Sequence, residues 1–93
     1  MIPEPTDNLD PDVHTVIIEL NRYMPEELHI KRRDSVIWKN NDNRLHTITW
    51  AAADFENAEI ALNQTHEQVF DDRGTYYYFC NFHDNMRGVI YVE

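Results

Sequence analysis

Turn-forming residues interrupt this chain about every 8–12 residues, and the stretches between them are short and rich in β-branched and aromatic side chains. Val13-His14-Thr15-Val16-Ile17-Ile18-Glu19-Leu20 stops at Asn21-Arg22. Pro25-Glu26-Glu27 would suit a helix start, but Leu28, Ile30 and Arg32 then alternate with His29 and Lys31, which reads as a strand. Asp34-Ser35 turns the chain into Val36-Ile37-Trp38-Lys39, which ends at Asn40-Asn41-Asp42-Asn43. Thr47 to Trp50, His66 to Phe70, Thr75 to Cys80 and Val89 to Val92 complete the series, with Asp71-Asp72-Arg73-Gly74 as a turn. Ala51-Ala52-Ala53 and Glu56-Asn57-Ala58-Glu59 have fair helix propensity, so residues 51–62 are expected to form an irregular connection with about one helical turn. The predicted fold is an all-β, single-domain, Greek-key sandwich of about seven or eight antiparallel strands.

Period two places Tyr76, Tyr78 and Cys80 on one inward face of the strongest strand. Tyr76, two residues after Gly74, is positioned for a tyrosine-corner bond. Trp38 and Trp50 read as core, Asn63-Gln64-Thr65 as a turn, and His14, His29 and His66 as solvent-facing side chains.

A length of 93 residues supports one domain, which buries about 60–65% of the surface its unfolded chain exposes. Residues 1–12, with Pro3, Pro5, Pro11, Asp7, Asn8, Asp10 and Asp12, read as an acidic leader or linker, leaving 13–93 as the folded domain. Seventeen acidic against eight basic residues give a net charge of −9, which argues against nucleic acid as a ligand. No apolar stretch approaches the roughly 18–20 residues that span a bilayer, and the polar start is no secretory signal. One cysteine allows no internal disulfide. Six acids between Asp54 and Asp72 (Asp54, Glu56, Glu59, Glu67, Asp71, Asp72), with no Lys or Arg among them, form a solvated face that would steer a basic partner.

The chemistry sits in Cys80-Asn81-Phe82-His83-Asp84-Asn85-Met86, where a thiolate, an imidazole and a thioether recur at intervals of three. One tight turn can aim all three at a point, and His46, where the Asn40–Asn43 loop enters a strand, supplies a second imidazole. Two His, one Cys and a weak axial Met are the donor set of a blue-copper electron-transfer centre, whereas structural zinc uses Cys and His without methionine. Soft sulfur suits Cu(I) and imidazole suits Cu(II), so a mixed set lets one ion cycle with little rearrangement.

The order His46, Cys80, His83, Met86 resembles the cupredoxins over about Tyr23 to Glu93. Met24 to Leu28 and Asp34 to Asp42 resemble that family's strand, turn and strand before its first His ligand, His46-Thr47-Ile48-Thr49 resembles the ligand segment, and Gly74 to Cys80 is similar to the strand that delivers the cysteine. The short interval from His83 to Met86, followed by Arg87-Gly88, is most similar to the amicyanin loop; plastocyanin-type loops are longer. Three positions depart from that pattern: Phe82 and Asp84 stand where amicyanin-like loops carry proline, and Arg33 stands where glycine is usual.

The resemblance implies one copper ion held by His46, Cys80, His83 and Met86, carrying single electrons between larger redox proteins such as a c-type cytochrome and a dehydrogenase. It implies a Thr47 amide bond to the sulfur, a link between Thr47 and Asn81 that joins the two ligand segments, and an apolar electron port of His83, Phe82, Leu45 and Met24. Phe82, unlike proline, offers the sulfur a further N–H, which would raise the reduction potential, while the Asp84 carboxylate would favour Cu(II). Four protein ligands leave no open position for a substrate, so an enzyme is not expected. A monomer outside the cytoplasm, in the periplasm, is expected, its signal or anchor lying beyond this chain. The rival readings are a copper storage or delivery protein, a metal-free interaction module on the same scaffold, and an electron-transfer domain of a larger copper enzyme.

Overall fold

A computed structural model describes residues 10–93. Nine strands form among them: β1 (Val13–Glu19), β2 (Arg22–Met24), β3 (Glu27–Ile30), β4 (Ser35–Asn40), β5 (His46–Trp50), β6 (Ala58–Ile60), β7 (Thr65–Val69), β8 (Gly74–Phe79) and β9 (Arg87–Val92). They pair into a four-stranded sheet, β2-β1-β4-β7, and a five-stranded sheet, β3-β9-β8-β5-β6. The all-β sandwich is as the sequence predicts, and the strands beyond seven or eight are three-residue pieces. β2 occupies what reads as a turn at Asn21-Arg22, because Leu20 and Asn21 alone reverse the chain (φ 55° and 56°) and Glu19 already pairs with Arg22. β6 occupies part of 51–62, where no helical turn forms; Ala58 pairs with Ile48 instead.

Pairing is not antiparallel throughout. β1 runs parallel to β4, with Val16 beside Trp38, and β3 runs parallel to β9, with Leu28 beside Ile90. Alternation of apolar residues encodes which face is buried, not the direction of the neighbour.

The core lies between the sheets. Val16 and Ile18 of β1, Val36 and Trp38 of β4, Ile48 and Trp50 of β5, and Tyr78 and Ile90 of β8 and β9 are buried. Trp38, Trp50 and Tyr78 meet edge-on or tilted at centroid separations of 5.3–5.8 Å, and Phe70 and Phe55 extend the cluster from Trp50. Each such ring taken out of water contributes about 1.5–3 kcal/mol, which matters in so small a domain. Gly88 pairs with Tyr78 across the β8–β9 ladder, and a side chain there would overlap the Tyr78 ring. The Tyr76 hydroxyl donates to the Asp72 carbonyl at 2.7 Å, the expected corner bond.

Two histidines differ from their reading. His14 is half-buried, with Nε2 2.9 Å from Asp34 Oδ2. His66 lies within β7 and stacks against Trp38, and burial lowers its pKa. His29 is exposed, as expected, beside Glu93 and Tyr91. Of the expected leader 1–12, residues 1–9 lie outside the described residues. The Asp12 amide donates to Asp34, and Lys31 Nζ reaches both the Asp12 carboxylate and the Asp10 carbonyl.

Candidate metal centre

The strand β8 ends one residue before Cys80, and its alternation turns the thiol inward beneath the surface; Cys80 is buried. The turns beyond Cys80 give the spacing of three its meaning. The His83 amide donates to the Cys80 carbonyl at 3.4 Å and the Met86 amide to the His83 carbonyl at 3.1 Å, so two successive i+3→i turns carry the chain from one donor residue to the next. The Cys80 amide donates in turn to the Met86 carbonyl at 3.1 Å, closing the loop on itself.

His46 arrives on the neighbouring strand of the same sheet, at the first residue of β5, which pairs antiparallel with β8, and is fully buried. Its Nδ1 stands 3.7 Å from Cys80 Sγ, and His83 Nδ1 stands 3.6 Å from the same sulfur. The three donor atoms lie within 4.8 Å of one another. A metal with bonds of about 2.3 Å to sulfur and about 2.0–2.1 Å to nitrogen separates those donors by about 3.6–3.8 Å at angles of about 110–120°. The spacing found here is therefore that of ligands around one ion, and the donor types are those of blue copper. Met86 is buried at the end of the same loop. His83 alone of the three is partly exposed.

Thr47, next to His46, carries the link between the two ligand segments. Its hydroxyl accepts from the Asn81 amide at 2.9 Å and contacts the Thr49 hydroxyl at 2.9 Å. The partner on the cysteine side is thus the main chain of Asn81 rather than its side chain. Among the described residues, the hydrogen-bond-range partners of Sγ are the two imidazoles; the amides of Thr47 and Phe82 are not among them. Phe82, Asp84 and Leu45 are exposed and Met24 half-buried. Asp84 is not one of the clustered donors; with Arg87, Tyr77 and Cys80 it lines a cavity of about 460 Å³ beside the loop. Tyr23, buried under the site, donates its hydroxyl to the Thr47 carbonyl. Burial first, then the neighbouring Cys80 and Tyr78, push its pKa well above the usual phenol range.

Two residues that sequence reasoning passed over as turn formers organise the His46 loop. Asn40 is fully buried; its side-chain amide donates to the carbonyls of Arg44 and Ile60, each at 2.7 Å, and its carbonyl oxygen accepts the Asp42 amide at 2.8 Å. Asp42 places Oδ2 2.8 Å from His46 Nε2 and accepts the amides of Leu20 and Asn21. Burial pushes the Asp42 carboxyl up, and those amides and His46 more than offset it, holding the group below the usual carboxylate range. The available signal was an Asp four residues before the candidate ligand in a loop dense with Asn.

The family model of a cupredoxin-like domain matches residues 1–92. Amicyanin of Paracoccus denitrificans is 32% identical over 77 residues, covering 77% of this chain and 59% of that protein. Amicyanin of Paracoccus versutus is 30% identical over 87 residues, covering 88% and 66%. The chain therefore spans 59–66% of the length of these relatives. Among solved structures, the reduced Cu(I) form at pH 4 of an amicyanin variant superposes with a TM-score of 0.81 at 29% identity, over 97% of this chain and 87% of that one. One copper ion is the cofactor these likenesses imply, and His46, Cys80 and His83 are positioned to bind a metal.

Proposed function

The chain belongs to the cupredoxin family, and we propose that it carries single electrons between larger redox proteins through one copper held by His46, Cys80, His83 and Met86. The observation that carries this reading is the convergence of one thiol and two Nδ1 atoms, at Sγ–N separations of 3.6 and 3.7 Å, from two distant parts of the chain. Bound there, copper would supply reversible one-electron chemistry. The protein's part is to hold soft and imidazole donors in one buried arrangement that serves both oxidation states. With four side chains committed to the ion there is no open position for a substrate, which favours a carrier over a catalyst.

The electron port in this reading is the exposed side of His83 together with Phe82 of the same loop, Leu45 next to His46 (53% and 41% exposed) and the half-buried Met24. Leu20 and Leu62 add to this rim: the Leu20 amide bonds Asp42 of the His46 loop, and Asn63, next to Leu62, donates to the Asn40 carbonyl. The redox partners meet this apolar end. All six acids from Asp54 to Asp72 are exposed and would steer a partner with a basic surface, an effect that salt weakens. No helix among the described residues is long and apolar enough to cross a membrane. A periplasmic location is part of this proposal, and fractionation of the source cells tests it.

The test is the visible spectrum after one equivalent of Cu(II), then ascorbate. An intense blue band that bleaches and returns on reoxidation supports the carrier. A protein that binds copper but exchanges electrons slowly with small redox reagents would instead be a store or delivery agent, and no colour with a titratable Cys80 thiol would overturn both.

A further inference from the structure

The contacts of Asp42 converge on one task. Oδ1 accepts the Leu20 amide at 2.8 Å; Oδ2 accepts the Asn21 amide at 3.0 Å and stands 2.8 Å from His46 Nε2. With its own amide on Asn40 Oδ1, both main chain and side chain are fixed. The carboxylate is 13% exposed and the imidazole 0%. An ionised carboxylate can only accept, so the pair requires a proton on His46 Nε2, and in the neutral ring that leaves the Nδ1 lone pair facing Cys80 Sγ. The other tautomer would set a lone pair against the carboxylate, with the imidazole itself fully buried. Two lines meet here, because the amides that hold Asp42 belong to Leu20 and Asn21, both left-handed and the former 73% exposed at the rim. A leucine in that conformation is strained, and these bonds help to hold it there.

We propose that Asp42 is the positioning residue of the metal centre: it fixes His46 with Nδ1 free for the metal and locks that ligand to the exposed Leu20–Asn21 turn. The metal half of this rests on the copper reading above; the tautomer half does not. The turn and the ligand then move as one unit, so filling the site stiffens the turn, and contact at Leu20 is felt at His46.

The first measurement is made on metal-free protein, with nitrogen-15 NMR of the His46 ring in the unaltered chain, Asp42→Asn and Asp42→Ala. The expected result is a single Nε2–H tautomer in the unaltered chain and a tautomer mixture in Asp42→Ala. Asp42→Asn keeps an acceptor but loses the charge; loaded with copper it should keep the absorption band and show a raised reduction potential. Asp42→Ala should lower Cu(II) affinity by about 10–100-fold. If Asp42→Ala does not fold, Asp42→Asn decides alone through its potential. The second measurement is amide hydrogen exchange with and without Cu(I): Leu20 and Asn21 should slow on loading, more than the Asn63 turn. An unchanged tautomer, an unchanged potential with only a lowered melting temperature, or exchange at Leu20 and Asn21 indifferent to Cu(I) would each overturn the proposal. A chain that takes up no copper yet shows the expected tautomers would leave the positioning role standing and defeat the copper reading alone.

Discussion

The strand β4 has a histidine–aspartate pair at each end, and the two pairs do different work. At its start, His14 Nε2 is 2.9 Å from Asp34; just past its end, His46 Nε2 is 2.8 Å from Asp42. Six residues of strand set the two ends about 20 Å apart. Asp34 also accepts Lys31 Nζ at 2.7 Å and the amides of Asp12 and Lys31, so the ammonium completes the charge within the protein. Asp42 accepts two amides and its histidine, and the far nitrogen of that histidine faces a thiol and a second imidazole. The lesson is that a His–Asp pair supplied with its own cation is a staple, while one without it, backed by sulfur, is a seat for an external cation.

That contrast can be broken most sharply at the sulfur. Cys80→Ser should abolish the blue band and weaken Cu(II) binding by more than the roughly 10–100-fold expected for a supporting residue, while urea unfolding of the metal-free protein moves little. Asp34→Ala should do the reverse, costing about 2–3 kcal/mol in urea unfolding through lost charge-assisted hydrogen bonds, with the copper spectrum intact. A spectral change there would mean the poles are not independent.

Acid should act on both pairs, and more strongly on the first. Burial acts to raise the Asp34 carboxyl, but Lys31, the Asp12 amide and His14 outweigh it and hold the group well below the usual carboxylate range. A group whose folded pKa is depressed stabilises the fold above its unfolded value, about 3.9, and that contribution is lost as pH falls below it. Melting temperatures taken from about pH 6 to about pH 2 should fall along this limb, and Asp34→Asn should flatten it. The smallest expected effect is at Arg33, beside the staple. Its φ of 77° is left-handed, and its amide donates to the Phe70 carbonyl at 2.7 Å. Arg33→Gly keeps the amide, relieves the strain and should gain up to about 1 kcal/mol.

Much of this was legible beforehand. The β-branched runs marked the longer strands, period two turned Tyr78 and Cys80 inward, and the interval of three from Cys80 to Met86 located the loop, because each of these is a local rule. β2 and β6 were not, since three residues carry no period. The parallel pairings were not, since alternation is blind to direction. Asn40, Asp34 and Asp42 look like turn formers in sequence, and their side chains act through contacts some twenty residues away, as from Asn40 to Ile60 and from Asp34 to His14. Arg33 was visible as a departure from glycine, but only its φ shows that the position demands what glycine offers.

The loop from Cys80 to Met86 is closed by its own hydrogen bond before it reaches either flanking strand. It therefore behaves as a replaceable part. Residues such as Phe82 and Asp84 can change without disturbing the β8–β9 ladder behind them. A lineage carrying this scaffold can revise the exposed face and the charge around its cofactor in a few substitutions, while the sandwich, and the histidine held on the neighbouring strand β5, go on unaltered.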